Sequence, residues 1–253
     1  VICAKVARYA ERTHHPDRLT KPLKRTGPKG SSQFKEISWE EALDITANAF
    51  KDATEKHGPE TVWPYSYGGT MGLVQSGSME RLRNEMGYSN MRGTTCGALV
   101  NAGWVAGTGR KIGPDPREMA DADLIVIWGT NAVSTQVNVM NHVARAKKNR
   151  NAKVIVVDPY KNPTAKAADI HVCLNPGTDG ALACAMMHIA FRDGYADHEY
   201  MEKYTDVPGE LEAHLQTRGP EWASKITGLS VDEIEEFSKL YCQTERAFIR
   251  LGF

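Results

Sequence analysis

Three short polar loops could do chemistry in this sequence: Gly129-Thr130-Asn131, Asp158-Pro159 and Pro176-Gly177-Thr178-Asp179. Each follows a run of apolar residues of strand length. In an open α/β sheet the carboxyl edge, where such loops emerge, is where ligands sit. A glycine there lets the backbone approach a ligand closely. Thr130, Asn131 and Thr178 offer hydrogen bonds, and Asp158 can accept two bonds from a ribose diol. A helix beginning near Gly180 would aim its first amides at the same edge. Together the loops suit a nucleotide. Small polar residues also collect at such positions because turns need them, so both explanations stand at this point. The fingerprint G-x-G-x-x-G is absent after residue 128, and no G-x-x-x-x-G-K-S/T loop occurs. Ordinary NAD or ATP binding is therefore disfavoured.

Cys96 stands in Gly93-Thr94-Thr95-Cys96-Gly97, just before a helix-like stretch. A thiolate at a helix start is stabilised and can act as ligand or nucleophile; a buried, inert cysteine fits the same letters. The five cysteines, Cys3, Cys96, Cys173, Cys184 and Cys242, are odd in number, widely spaced and without a C-x-x-C pair. That argues against a zinc knuckle or a disulfide framework, and for cysteines that are reduced, buried or ligating. Cys173 on a strand and Cys184 on a helix of alanine and methionine are expected in the core. His14 and His15 have no carboxylates at ligand spacing, and His142 and His188 fall on helices. No H-E-x-x-H pattern or specific Ser–His–Asp set can be assembled. Lysine plus arginine equals aspartate plus glutamate at 31 each. No basic patch interleaves with aromatics, which argues against nucleic acid as partner. No apolar run approaches the roughly 18 residues of a membrane span.

Elements must position these groups. Leu124 to Trp128 and Lys153 to Val157 are continuously apolar, with a helix from about Val137 to Lys148 between them. A shorter strand, His171 to Leu174, leads into a helix from Ala181 to Phe191. Apolar strands alternating with helices mark a buried parallel sheet. Upstream, Ser38-Trp39-Glu40-Glu41 matches a capping box, and Gly58-Pro59 stops the helix it starts. Thr61 to Tyr67 is expected as a strand and Ser78 to Met86 as an amphipathic helix. Later helices are expected over Asp197 to Lys203 and, after the cap Ser230, over Val231 to Tyr241. The expected fold class is α/β in two domains, the second a Rossmann-like parallel sheet with helices on both faces. Residues 1–32 form an extended arm, and 33–114 an α/β domain bearing the Cys96 loop. Residues 115–245 form the nucleotide domain, and 246–253 a strand returning to the first domain beside the strand near 61–65. Both ends of the chain look cut.

These loops, in this order and spacing, resemble the molybdopterin oxidoreductases of the dimethyl sulfoxide reductase type, which include formate dehydrogenases and nitrate reductases. The resemblance is carried by Ile127-Trp128-Gly129-Thr130-Asn131, then Val156-Val157-Asp158-Pro159, then Pro176-Gly177-Thr178-Asp179-Gly180-Ala181-Leu182. It implies that Gly129, Thr130, Asn131, Asp158, Pro159, Gly177, Thr178 and Asp179 hold one guanine-dinucleotide arm of a bis(molybdopterin guanine dinucleotide) cofactor. Asn131, Asp158 and Asp179 would be its main side-chain contacts. The same resemblance places Cys96 as the protein ligand of molybdenum or tungsten, for which a soft thiolate is suited. Ile2-Cys3-Ala4-Lys5, with Pro16-Asp17-Arg18-Leu19 and Pro22-Leu23-Lys24-Arg25, looks like the segment that closes the family's iron–sulfur domain. There Cys3 would be the last of four ligands to a 4Fe-4S cluster, the other three preceding Val1, and Lys5 would lie between cluster and pterin. Gly97 stands where many formate dehydrogenases have a histidine, and cysteine at 96 departs from the serine of the dimethyl sulfoxide enzymes.

What the resemblance implies is an oxidoreductase fragment covering roughly the first third of a family member. The reaction would be oxygen-atom or hydride transfer at the metal on a small-molecule redox substrate, with electrons leaving through the pterin and an iron–sulfur cluster toward an electron-transfer subunit. The missing carboxyl-terminal domains of the same chain would complete the site, and the fragment alone is expected to be inactive. The alternative is a scaffold subunit of a respiratory redox complex that keeps the fold without the cofactor. Retention of Cys96 and Asp158 favours the enzyme. The sequence leaves substrate, metal and compartment, cytoplasmic or periplasmic, open.

Overall fold

The structure, a computed structural model, describes residues 6–65, 73–91 and 97–252. The chain divides into two compact units, one formed by Tyr9–Lys111 and the other including Ile112–Phe253.

The first unit opens with a short helix, α1 (Tyr9–Thr13), and a two-stranded antiparallel ribbon of β1 (Leu23–Arg25) and β2 (Phe34–Glu36), with Leu23 opposite Glu36. Within the expected extended arm, Tyr9–Thr13 is helical and Leu23–Arg25 is one strand of a hairpin. The turn-forming residues between Gly27 and Gly30, which read as irregular chain, fold β2 back onto β1. Helix α2 (Trp39–His57) starts at Ser38, whose hydroxyl accepts from the Glu41 amide at 3.1 Å. The return half of that capping box is not made, because the Glu41 carboxylate pairs instead with Lys24 Nζ at 3.2 Å. Beyond Gly58, Pro59–Thr61 forms a 3₁₀ turn, and residues 62–65 carry no strand. The strand expected from Thr61 is thus overturned as far as residue 65; 66 and 67 lie outside the described residues. The Val62 amide closes the turn on Pro59 O, and Thr61 Oγ1 donates to His57 O. Helices α3 (Leu73–Met86) and α4 (Gly97–Thr108) complete the unit.

The second unit is built around a parallel sheet. After a 3₁₀ turn (Pro116–Asp121) come β3 (Leu124–Trp128), α5 (Ala132–Thr135), α6 (Val137–Arg150), β4 (Lys153–Val157), α7 (Pro163–Lys166), β5 (Ile170–Val172) and α8 (Asp179–Arg192). Then follow α9 (His198–Tyr204), α10 (Pro208–Leu215), α11 (Pro220–Thr227), α12 (Val231–Gln243) and β6 (Ala247–Leu251). The strand order is β5-β4-β3-β6, every neighbouring pair parallel. The fold is α/β with a parallel sheet, and β3 and β4 are adjacent as expected.

Alternation along the strands supplies a core on each face. Leu124 and Val126 join Ile155, Val157 and Val172 against Leu182 and Ile189 of α8 and Ile234 and Phe237 of α12. Ile125 and Ile127 join Val154 and Val156 against Val143 and Ala146 of α6, with Met119 and Ala165. Both faces being covered is why these strands read as unbroken apolar runs. Ser230 makes a complete capping box with Glu233 at the start of α12. Helices α10 and α11 go beyond the sequence expectation; each begins with a proline in its first turn, Pro208 and Pro220, which reads equally as a break.

Strand β6 corrects another expectation. It does not return to the first domain but pairs in parallel with β3, Leu124 opposite Ala247 and Trp128 opposite Leu251. The Asp123 amide anchors its entry by donating to Arg246 O at 2.8 Å. Its partner is chosen by the long crossover through α8–α12, which delivers the chain back to the exposed side of β3. Among the described residues, no helix is long and apolar enough to cross a membrane.

Candidate functional site at the carboxyl edge of the sheet

Because all four strands run the same way, their following loops emerge at one edge. β3 leads into Gly129-Thr130-Asn131, β4 into Asp158-Pro159, β5 into the segment ending at Thr178-Asp179, and β6 into Gly252. From β3 the chain moves outward to β4 and β5, and then crosses to the other side of β3 to make β6. The order of strands therefore reverses between β3 and β6, and in open α/β sheets that crevice is the usual ligand position.

Gly129 and Gly252 meet at this point. The Gly252 amide donates to Trp128 O at 2.8 Å, and a side chain on Gly252 would run into the Gly129 carbonyl and into Thr130. Gly129 adopts φ +66°, the left-handed conformation glycine takes freely, and its amide donates to Val157 O at 2.9 Å. Thr130 is buried.

Asp158 is oriented by its own loop. One carboxylate oxygen accepts from the Tyr160 amide at 2.8 Å, the other from Asn162 Nδ2 at 2.9 Å. Each oxygen keeps a further lone pair for a hydroxyl donor. His171 Nε2 bonds the Asp158 carbonyl oxygen at 2.9 Å. Pro159 is exposed, and its carbonyl accepts from Cys173 Sγ at 3.6 Å. Asn162 Oδ1 accepts from the Thr164 and Ala165 amides and so caps α7. Thr164 Oγ1 donates to Asn131 Oδ1 at 2.8 Å and accepts from the Val133 amide at 3.0 Å. Across the sheet, Trp128 Nε1 donates to Asp179 Oδ1 at 2.7 Å, tying the end of β3 to the first residue of α8. Thr178 Oγ1 donates to Asn175 O at 2.6 Å, and Gly177 carries φ +78°. Gln136, the residue capping α6 at this edge, has its Oε1 buried with no partner among the described residues.

The candidate residues at 129–131, 158–159 and 177–179 are thus brought to one edge. Cys3, Lys5 and Cys96, the candidate cluster ligand, electron-path lysine and metal ligand, lie outside the described residues. Among the described residues no group of three or more His, Cys, Asp or Glu side chains could hold a metal ion. Cys173 is exposed rather than in the core, because β5 ends at Val172 and the next residue already belongs to the edge. Cys184 and Cys242 are half-buried, and burial pushes the Cys242 thiol above its ordinary value. Sequence reasoning misses Trp128, Asn162, Thr164 and Gly252 as members of this edge. Trp128 ends an apolar strand and reads as part of it. Asn162-Pro163 carries a helix-start signal, an Asx cap followed by proline, that could have found Asn162 and its helix.

Comparison with known proteins finds similarity along almost the whole chain. The chain is 39% identical over 252 residues, 99% of its own length, to the "Probable oxidoreductase YoaE" of Bacillus subtilis (strain 168). It is 32% identical over 285 residues to the "Dimethyl sulfoxide reductase DmsA" of Haemophilus influenzae, and 30% over 241 residues to "Formate dehydrogenase H" of Escherichia coli (strain K12). The aligned part is 37%, 35% and 33% of those proteins, so the chain spans about a third of the relatives it matches. Among solved structures, acetylene hydratase from Pelobacter acetylenicus superposes with a TM-score of 0.63 over 99% of this chain and 34% of its own, at 23% identity, a likeness of fold. The Molybdopterin oxidoreductase family profile matches residues 18–250. A parallel sheet whose polar loops gather at one edge is therefore met here in a chain that belongs to the molybdopterin oxidoreductase family.

Proposed function

We propose that this chain is the nucleotide-gripping amino-terminal part of a molybdopterin-dependent oxidoreductase, with residues 115–245 and β6 forming a Rossmann-like domain. The single observation that carries this is the gathering of the 129–131, 158–162 and 177–179 loops at the carboxyl edge of the parallel sheet, tied to one another by the Thr164–Asn131 and Trp128–Asp179 hydrogen bonds. The residues present fit one guanine-dinucleotide arm of a bis-pterin cofactor. Open space beside Gly129, where a side chain would meet nothing within 4 Å, leaves room for a pyrophosphate to approach the backbone. Asp158 retains acceptor capacity for a ribose diol, and Asp179 has one oxygen not engaged by Trp128.

When bound, molybdenum or tungsten in this group supplies two-electron chemistry on a small molecule, by oxygen-atom or hydride transfer. The described part of this chain binds and orients. Cys96 is proposed as the protein ligand to the metal, Cys3 as a ligand of a 4Fe-4S cluster in the full-length protein, and Lys5 as the residue between cluster and pterin. The remaining two-thirds of the polypeptide, a small-molecule substrate and an electron-transfer subunit are the proposed partners.

The test uses the full-length protein. Asp158→Ala removes an acceptor pair whose charged hydrogen bonds are worth about 1.5–3 kcal/mol, so guanine-dinucleotide and metal content per chain should fall about tenfold or more. Cys96→Ala should retain the dinucleotide while X-ray absorption of the metal loses one sulfur scatterer. Full cofactor content in Asp158→Ala would refute the nucleotide assignment, and an unchanged sulfur count in Cys96→Ala would refute the metal-ligand assignment.

A further inference from the structure

We propose that Asn162 and Thr164 are positioning residues, Thr164 setting which end of the Asn131 amide and Asn162 setting which direction of the Asp158 carboxylate is presented at the edge, an inference that rests on the nucleotide reading above. Both are almost wholly buried, Asn162 at 3% exposure as the cap of the four-residue helix α7 and Thr164 at 1% within it. Buried polar side chains cost stability unless every group is bonded. Here the bonds run outward to two separate loops.

Asn162 Oδ1 is taken by the Thr164 and Ala165 amides at 2.8 and 3.0 Å. Its amide end is therefore the end that faces Asp158, and Nδ2 donates to Oδ2 at 2.9 Å. Thr164 Oγ1 accepts from the Val133 amide at 3.0 Å, and its single hydrogen goes to Asn131 Oδ1 at 2.8 Å. The Asn131 carbonyl is thereby turned inward, and Nδ2, bonded to Ser134 Oγ at 3.2 Å, faces away with one N–H to spare. The consequence is polarity: position 131 offers a donor and position 158 offers acceptors. A phosphate or carbonyl oxygen fits beside the first, and a hydroxyl pair beside the second. Without the buried chain, the Asn131 amide could flip and Asp158 could rotate, and each would have to be ordered again on binding.

The experiment measures guanine-dinucleotide retention in the full-length protein, as GMP released on hydrolysis after timed dialysis, with metal content alongside. Thr164→Val keeps the shape and removes the hydroxyl; Thr164→Ser keeps the hydroxyl and removes the methyl. Asn162→Ser keeps a cap for α7 but is too short to reach Asp158. We expect Thr164→Val and Asn162→Ser to lose the dinucleotide about tenfold faster, the order expected for one buried hydrogen bond, and Thr164→Ser to stay within about twofold. A packing role predicts the reverse, with valine harmless and serine damaging, and that result overturns the proposal. Retention in both Thr164→Val and Asn162→Ser while Asp158→Ala loses cofactor overturns the proposal and leaves the site reading standing. Retention in Asp158→Ala as well would end both. If Thr164→Val fails to fold by circular dichroism, Asn162→Ser decides alone.

Discussion

Replacing Gly252 by alanine would put a methyl 2.7 Å from the carbonyl carbon of Gly129 and 2.7 Å from Thr130 Cβ, and closer still to the Gly129 oxygen. Carbon atoms in contact rest at about 3.5–4 Å, so the two backbones must part by roughly 1 Å. The atoms in the way are mainly backbone, with no flexible side chain that could swing aside. Overpacking of this kind costs about 1–3 kcal/mol. Straining the Gly252 N–H bond to Trp128 O, now 2.8 Å, adds about 1 kcal/mol. The expected local cost is thus about 2–4 kcal/mol, concentrated where β3 and β6 end side by side.

Gly129→Ala is the control. Nothing lies within 4 Å of a side chain there, so its cost comes from φ +66° alone, about 1–2 kcal/mol, and Gly129→Asn should recover part of it. The assay is hydrogen–deuterium exchange of peptides spanning 124–131 and 247–252 in the full-length protein, with guanine-dinucleotide content measured on the same samples. Gly252→Ala should exchange faster in both peptides and lose cofactor, more severely than Gly129→Ala. If Gly252→Ala exchanges as the parent does and keeps its dinucleotide, the close approach of the two glycines is not what shapes this crevice.

Trp128→Phe removes the donor to Asp179 while keeping an aromatic ring near Phe237, whose centroid lies 6.2 Å away. It should lower dinucleotide retention several-fold at near-parental thermal stability, as a partly exposed hydrogen bond worth about 1 kcal/mol would; parental retention would discount the pair. The Glu235 carboxyl is held below its ordinary value by the Arg192 hydrogen bond, which with Lys239 outweighs burial. A depressed carboxylate contributes stability above its unfolded value, near 4.5, and loses it as pH falls through the lower folded value. Urea midpoints should therefore drop on acidification below about pH 5. Glu235→Gln should flatten that drop by about 1 kcal/mol; an unchanged pH profile would count against the clamp between α8 and α12.

The second unit was largely legible, and the reason is local. Leu124–Trp128 and Lys153–Val157 are buried on both faces, so each carries its signal in five consecutive letters, and the turn residues after them mark the edge. What failed was choice of partner. Nothing in Ala247–Leu251 says whether it pairs with β3 or with a distant strand, because parallel pairing is decided by the long crossover between β5 and β6. The chain from Thr61 failed for another reason. Val62, Trp63 and Tyr65 suit a strand, but Pro59 commits the preceding backbone to a 3₁₀ turn. The candidate residues at 129–131, 158–159 and 177–179 were expected at the carboxyl edge by type and spacing, and the structure brings them to it. The buried polar pair beneath them, Asn162 and Thr164, was not expected, since an Asn-Pro-Thr stretch reads first as a turn.

The two edges of the sheet use their carboxylates differently, and that difference bears on which edge is for a ligand. At the amino edge Asp123 pairs with Arg150 at 2.7 Å and Asp169 with Lys147 at 2.8 Å. Against the upward push of burial, Lys147 and the Val154 amide hold Asp169 below its ordinary value. Those charges are spent fastening α6 to the sheet. At the carboxyl edge Asp158 and Asp179 accept from an amide, a carboxamide and an indole, all neutral donors, and form no ion pair among the described residues. Neutral donors aim a carboxylate without cancelling its charge or filling its lone pairs. A carboxylate so held keeps its strongest bond for a partner that arrives from outside, and hydroxyl or ring N–H donors of a nucleotide supply one without adding a like charge. Ion pairs closing one edge and oriented acceptors without ion-pair partners along the other are the contrast that supports the proposal of a ligand at the carboxyl edge.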